Sequence, residues 1–519
     1  MRKTRVQGNS NQAKSRIKVQ GNGSRAKSSK KSFQNDDQKK GRTKVQKNAG
    51  QSKSKIKTEK RHGQTTAKQT PGSTVEKSKM SPEKVVLDST IWDTIIVGAG
   101  VAGMAAALAC GKENQKILLL DRQSQMGRKI LVTGNGKCNL TNFAQKAEYY
   151  RSDYPEKVQK VLSVFGLKDA MELFKSLGIY TKDKNGYVYP YSEQAASVRE
   201  CFETEILSNP NITFIPSSEV YNIQKKSGLF FVKVREMQGQ DKEKQSSSKK
   251  VEKIYRCQNL LITTGGFAGP KFGCDGSGYT FAAIFGHEII NPLPALTALK
   301  SSAPFLKKVS GVRNQAKITL EIDEKPVKQE NGELQWTDYG ISGVAVFQLS
   351  RFAITALEEK KNVSLYFDFM PELSLEEKLR LFLSLAQNHK KKELLSFMKG
   401  LFPAKLCPVI LREAGLKEEM PVETLKEKEW NTLVMVVSHF PLKINGYMGY
   451  EKAQVTRGGI SLAELTDSLE SVFQSGLFFA GEVVDVDGTC GGYNLQWAFS
   501  SGTVAGRAIF ERNQKFLEN

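Results

Sequence analysis

Residues 98–103 have the types and the spacing to hold a phosphate. Gly98-Ala99-Gly100-Val101-Ala102-Gly103 fits G-x-G-x-x-G. In that pattern the first glycine makes a tight turn, the second lets a pyrophosphate approach the backbone, and the third lets helix and strand pack closely. Asp121 lies 23 residues beyond Gly98, where a carboxylate can accept hydrogen bonds from ribose hydroxyls. Arg128 and Lys129 follow closely enough to face the same ligand. The run Gly134-Asn135-Gly136-Lys137-Cys138-Asn139 has too many glycines and amides for a core. It suits a turn whose N–H groups and amides, Gly134 and Asn135 first, contact bound ligand. Metal chemistry is not indicated: the seven cysteines are odd in number and widely spaced, without a C-x-x-C pair, so neither a zinc site nor a disulfide framework is expected.

A glycine motif alone is weak, so the elements around it decide. Thr94-Ile95-Ile96-Val97 is a short β-branched run suited to a buried parallel strand. The small residues 104–110 continue as a helix, and a second apolar strand at 117–120 ends in Asp121. Residues 94–111 run for 18 positions without a charge, which is the length of a membrane span. Three close glycines and a change of period make it a strand, a turn and a helix instead, so a soluble, cytoplasmic protein without a membrane segment is expected. Two later segments extend the pattern. Residues 259–263 form an apolar strand running into Thr264-Gly265-Gly266, a second glycine turn. Residues 476–480 form another strand, ending in Gly481-Glu482 and followed by a glycine-rich loop with Cys490, Gly492, Tyr493 and Asn494, then a helix from Leu495. A returning strand, a glycine–acid turn and a closing helix serve the ribityl and flavin end of FAD. A plain nicotinamide dehydrogenase has no need of them. The expected cofactor is FAD, held by Gly98, Gly100, Gly103, Asp121, Arg128, Lys129, Gly265, Gly266, Gly481 and Glu482.

Charge separates the N-terminus from the rest. The chain has 519 residues and a formal charge of +23. Its first 84 residues hold 24 basic and 5 acidic side chains, a balance of +19, which leaves +4 for the other 435. Up to about Pro82 the only aromatic residue is Phe33, so this segment cannot bury enough apolar area to offset the entropy of ordering, and disorder is expected over 1–88. A weak repeat places Val6, Val19 and Val45 in one phase, but one valine in 13 residues makes no solenoid face. Dispersed Lys and Arg on a flexible chain neutralise phosphates without reading sequence. RNA contact is favoured over a merely solubilising leader, and no apolar anchor supports attraction to a membrane surface.

Five blocks carry a resemblance: GRKILVTGNGKCNLTN (127–142), GYVYPYSEQAASV (186–198), LLITTGGFAGPKFGCDGSGYTFAAIFGHEIINPLPAL (260–296), TDYGISGVAVFQLSR (337–351) and GLFFAGEVVDVDGTCGGYNLQWAFSSGTVAG (476–506). On these blocks the sequence resembles the BaiN/RdsA-type family of FAD-dependent oxidoreductases. The resemblance implies an α/β fold, with a Rossmann-like FAD-binding domain interrupted by an inserted β domain that itself carries a helical subdomain. The boundaries expected here are 1–88 for the disordered basic tail, 89–292 with 451–519 for the FAD domain, and 293–450 for the insertion, its helices near 371–437. Residues 374–400 carry Leu379, Leu381, Leu383 and Leu385 among many Lys and Glu and are expected to be helical, while 316–322 and 363–367 alternate like strands.

For chemistry, the resemblance implies NAD(P)H as electron donor and hydride transfer through FAD to an activated C=C bond. Two substrate classes come with the family: uridine of 23S ribosomal RNA, reduced to dihydrouridine, and unsaturated steroid-type small molecules. The basic tail tips the expectation toward ribosomal RNA or a ribosome assembly intermediate. A small-molecule ene reductase and a non-catalytic, flavin-containing assembly factor remain the alternatives. Hydride addition to a uracil leaves a carbon that needs a proton, so an acid should face the flavin. Cys138, Cys490 and Tyr493, all in glycine-rich loops, are the candidates. Asn494 and Gln496 could hydrogen-bond the flavin or a uracil edge. His287 and His439 are expected to be structural.

Overall fold

The computed structural model describes residues 85–237 and 250–518; of the basic tail read from the sequence as 1–88, residues 1–84 lie outside them. The first strand, Val86–Val97, starts inside the stretch assigned to that tail. Its leading residues already pair with a neighbouring strand, Val86 with Lys253 and Leu87 with Ile254, and that ladder makes residues 86–88 part of the sheet.

The parallel core follows from short apolar strands that are buried on both faces. Ile212–Ile215, Ile117–Leu120, Val86–Val97 and Lys250–Ile262 lie side by side and parallel. Lys250–Ile262 is long enough to serve two neighbours. Its first half pairs antiparallel with Leu229–Met237, and its last three residues pair parallel with Leu477–Phe479, Leu260 opposite Leu477. Because these strands run the same way, their carboxyl ends share one edge. Gly98, Asp121, Thr263 and Ala480 each follow directly on a strand there, and this is the edge at which open α/β sheets bind ligands. Helix Val101–Cys110 covers one face and is crossed by the closing helix Tyr493–Glu518. The two helices approach so closely that a Cβ added to Gly502 would sit 2.2 Å from the Ala102 carbonyl oxygen.

A second core belongs to an inserted antiparallel sheet. Its strands run in the order Phe440–Ile444, Val363–Asp368, Arg313–Ile322, Lys325–Trp336, Gly340–Ser342, Leu299–Lys300 and Gly446–Tyr447. Trp336, Phe367 and Phe440 pack at its centre, and helix Val344–Glu358 buries Val346, Leu349 and Ala353 against it. Helix Leu375–Gln387 starts at a capping box, with Ser374 Oγ accepting from the Glu377 N–H at 3.2 Å and the Glu377 carboxylate accepting from the Ser374 N–H at 2.8 Å, worth about 1 kcal/mol. The insertion joins the parallel domain through an antiparallel ribbon, Ile289–Ala295 against Val455–Ile460. Among the described residues no helix is long and apolar enough to cross a membrane.

Candidate functional site

A cavity of about 960 Å³ opens at the carboxyl edge of the parallel sheet and extends to the insertion. Its phosphate end is built by the glycine turn. Gly98 has φ +105°, and a Cβ there would lie 2.6 Å from the Thr263 carbonyl oxygen; a Cβ on Gly103 would lie 1.9 Å from the Gly98 oxygen. Both positions are closed by protein. Gly100 is different: it lines the cavity, and a Cβ there would meet no protein atom within 4 Å. Its φ of −73° is one that any residue adopts, so neither strain nor protein packing demands a glycine at that point, and the close approach of a ligand to the backbone accounts for it. The helix that follows has no side-chain cap, which leaves its first N–H groups aimed at the cavity for an anion.

Asp121 also lines the cavity, and its carboxylate fixes the turn as well. Oδ2 accepts from the Ala99 N–H and Oδ1 from the Gln123 N–H, both at 2.7 Å. Burial pushes this carboxyl above its ordinary range, while the two N–H donors pull it back; lone pairs remain for ribose hydroxyls. Arg128 bonds Gln123 Oε1 across the same end. Lys129 reaches the C-terminal turn, its Nζ 2.6 Å from Glu482 Oε2, while Glu482 Oε1 accepts from the Thr456 N–H at 2.8 Å. Burial works against the Lys129 ammonium, but the Glu482 carboxylate outweighs it and its pKa stands above the usual lysine value. This pair ties the loop after the second strand to the returning C-terminal strand.

The far end is where the structure sorts the proposed acids. Cys490 lines the cavity beside Gly491 and Gly492. Its N–H donates to Gln348 Oε1 at 3.0 Å, its Sγ lies 4.0 Å from Gln454 Oε1, and burial pushes its thiol up to about 12. Cys138 is off the cavity. Gly134, Asn135 and Cys138 all take left-handed φ angles near +55°, which turn the sulfur inward, where it is 1% exposed and burial raises it to about 12. Tyr493 is also turned away: its hydroxyl donates to the Ala144 carbonyl at 2.9 Å and its ring packs on Tyr149 and Tyr150. Neither can therefore stand as the acid that the sequence suggested. Gly266 and Gly103 likewise serve packing, since a Cβ on Gly266 would lie 2.5 Å from Thr456 Oγ1.

The cavity wall brings together Gly134, Asn135, Gly265, Gly481, Glu482, Gly492 and Asn494 with the phosphate-end residues. Asn494 spends its amide on the loop, accepting from the Gly488 N–H at 2.7 Å and donating to the Gly488 carbonyl at 2.9 Å. Gln496 is buried away from the cavity, accepting from Thr141 Oγ1 at 2.6 Å. His287 sits between Glu464 and Ser471, at 3.0 and 2.7 Å. His439 is exposed and stacks on Tyr366 at 4.0 Å. Sequence reasoning missed Gln123 and Thr456, and named Asn139 only as the end of the 134–139 run. Asn139 lines the cavity with a buried Oδ1 that has no hydrogen-bond partner among the described residues. Its position inside the glycine–amide loop was the available signal. Gln123 and Thr456 carry no motif of their own.

A glycine cradle, an open wall at Gly100 and an orphaned amide oxygen at the far end fit a long dinucleotide. Comparison with known proteins agrees. Residues 92–508 match the family model described as HI0933-like protein Rossmann domain. The chain is 36% identical over 420 residues to the 3-dehydro-bile acid delta(4,6)-reductase of Clostridium scindens, covering 80% of this chain and 98% of that protein. It is 30% identical over 424 residues to the ribosomal RNA dihydrouridine synthase of Haemophilus influenzae, covering 80% of this chain and 98% of that one. The enzyme of the same name from Escherichia coli is 30% identical over 415 residues, with 79% and 96% covered. These are the two kinds of relative to which the sequence blocks pointed.

Proposed function

The chain belongs to the HI0933-like Rossmann family, and on that premise we propose that it is an FAD-dependent oxidoreductase which uses NAD(P)H to reduce uridine in 23S ribosomal RNA to dihydrouridine. The cofactor assignment is carried by Gly100, a cavity-lining glycine that no protein contact requires. The RNA assignment is supported by two relatives of that name and by the basic tail. When bound, FAD supplies a hydride to one carbon of an activated C=C bond.

The chain's own residues do the rest. The Gly98–Gly100 backbone and the first N–H groups of helix Val101–Cys110 hold the pyrophosphate, and Asp121 takes the ribose. The Lys129–Glu482 pair keeps the two halves of the cavity at a fixed separation. Cys490 Sγ holds the proton for the second carbon of the substrate double bond. With its thiol pushed up to about 12 by burial, it is protonated at neutral pH. Gln348 fixes its backbone, and the Cys490 side of the cavity meets the insertion at Leu296 and Val344. Because a positioned acid contributes roughly 10²–10⁴-fold, Cys490→Ala should slow product formation by about 100-fold or more while flavin reduction by NAD(P)H keeps its rate.

The test is dihydrouridine in 23S rRNA, mapped in cells with and without the gene. Loss of a site, restored by the wild-type gene and not by Cys490→Ala, supports the proposal; an unchanged map overturns the rRNA substrate. The 36% identity to a bile acid reductase favours a second reading. On it, an unsaturated steroid-type ketone would oxidise the reduced protein rapidly, and RNA would not.

A further inference from the structure

One surface runs from the cavity wall out past its rim. Strands Thr181–Lys184 and Tyr187–Pro190 form a hairpin in which Lys184 faces Tyr187 and Lys182 faces Tyr189. The Tyr191 N–H continues the ladder by donating to the Tyr180 carbonyl at 2.7 Å. Residues directly opposite in a ladder share a face, and positions two apart along a strand share it too. One face of this hairpin is therefore Tyr180, Lys182, Lys184, Tyr187, Tyr189 and Tyr191. The other carries Val188 and Pro190, both buried.

The exposed face is unusual for a protein surface. Tyr180 is 76% exposed and Tyr191 63%, yet their rings lie 5.4 Å apart as a pair. Lys182 Nζ stands 5.2 Å from the Tyr191 ring and Lys184 Nζ 5.8 Å from the Tyr189 ring. Glu193 gathers Lys182, Lys184 and Lys137 at 2.5, 2.6 and 3.2 Å, so three ammonium groups share one carboxylate. Asp183 points to the other face and is turned back onto the Gly186 N–H. At one end Lys184, Tyr187 and Tyr189 form part of the cavity wall; at the other, Tyr180 and Tyr191 stand outside it.

We propose that this tyrosine–lysine face is a stacking platform for single-stranded RNA, which seats the nucleotides flanking the base that enters the cavity; the proposal rests on the RNA substrate argued above. Successive bases stack on aromatic rings, and lysines beside them take the phosphates. The spacing favours a strand over a single nucleotide. Tyr187, Tyr189 and Tyr191 repeat every second residue, so the row is roughly 13 Å long at about 3.3 Å per residue. One base needs one ring; a row needs several bases.

The experiment uses the full chain with FAD bound and a labelled short oligouridylate, its affinity read by fluorescence anisotropy over a salt series. Tyr191→Ala and Tyr180→Ala should each weaken binding by about tenfold, within the range for loss of one stacking ring. Tyr191→Phe, which keeps the ring, should bind within about twofold of wild type. Lys182→Ala should lower the slope of log affinity against log salt by about 0.7, one phosphate contact to a single strand. The rate of flavin reduction by NAD(P)H should not change, since these three side chains lie outside the cavity wall. Unchanged RNA affinity in both alanine variants, with wild type still forming dihydrouridine, overturns the platform and leaves the function standing. A raised KM for NAD(P)H in place of weaker RNA binding overturns it too, by assigning the face to the nicotinamide dinucleotide. A wild-type protein that neither binds the oligonucleotide nor forms dihydrouridine removes both proposals.

Discussion

Gly100 and Gly103 belong to one motif, and a side chain would do different harm at each. A Cβ on Gly100 projects into the cavity with no protein atom within 4 Å, whereas one on Gly103 lies 1.9 Å from the Gly98 oxygen. Gly100→Val should therefore fold normally, keep its flavin-free thermal midpoint within a few degrees and lose bound flavin, read as the ratio of visible to protein absorbance. Gly103→Ala should lose stability by about 2 kcal/mol or more, because overpacking against backbone forces the turn open. The roles of Gly100 and Gly103 were legible in the sequence from their places in the motif; that Gly266 packs against Thr456 was not, because that depends on what the fold brings beside it. The cysteines teach the same lesson. Cys138 and Cys490 both sit in glycine-rich loops, and only the run of left-handed residues at Gly134, Asn135 and Cys138 itself turns one sulfur inward. Cys138→Ala should cost about 1 kcal/mol for the small void it leaves and leave turnover unchanged, making it the control for Cys490→Ala.

At the scale of elements, the parallel strands and their glycine-ended turns were readable because buried strands are short, apolar and β-branched. The insertion was less so. Its alternating Leu379, Leu381, Leu383 and Leu385 suggest an apolar helix, yet the residues that helix Leu375–Gln387 fully buries are Lys378 and Phe382. Lys378 goes inward because Asp368 and Ser438 meet its Nζ at 2.7 and 2.9 Å, partners that only the fold supplies. A comparable buried clasp holds the start of the connecting ribbon. His287 bonds Glu464 and Ser471 just before strand Ile289–Ala295. Burial lowers its pKa and Glu464 only partly restores it, so the net position is below the ordinary histidine value. The folded protein thus binds fewer protons than the unfolded chain just below about pH 6.5, and by linkage this stability is full above that pH and is lost as pH falls. Asp485 works the other way. Burial and the neighbouring Asp487 raise its carboxyl to about 6, so its ionised form costs stability above that pH and the cost is relieved as pH falls toward 3.8. Urea midpoints at pH 7.5 and 5.5 separate the two: His287→Gln should lose less stability on acidification than wild type. An equal loss in both would remove the histidine from the account.

Across the whole molecule, charge works in two ways. Inside, Asp487 is completely buried and takes Arg351 Nε from the insertion at 2.8 and 2.9 Å, with Arg151 at 3.7 Å. Arg351 lies one helical turn beyond Gln348, which holds the Cys490 backbone, so the tie between the two cores also supports the proposed proton donor. Breaking such a pair leaves a buried charge, at a cost of roughly 3–5 kcal/mol. Arg351→Met should lose about that much in urea unfolding, and Arg351→Met with Asp487→Asn should recover part of it, the non-additivity measuring the pair. By sequence, the first 84 residues hold +19 of the chain's +23, and on the proposed RNA role this excess would act through phosphate contacts that salt screens. Deleting the tail should then weaken binding to an rRNA fragment most at low salt and flatten the salt dependence, since each phosphate contact adds about 0.7–0.9 to the slope. Flavin content, reduction by NAD(P)H and the maximal rate on saturating RNA should stay at wild-type values, because among the described residues the cavity lining begins at Val97. An equal loss at all salt concentrations would mean that the tail contacts RNA through something other than its charge. No loss at any salt, with a steroid-type ketone still reduced, would favour the small-molecule enzyme.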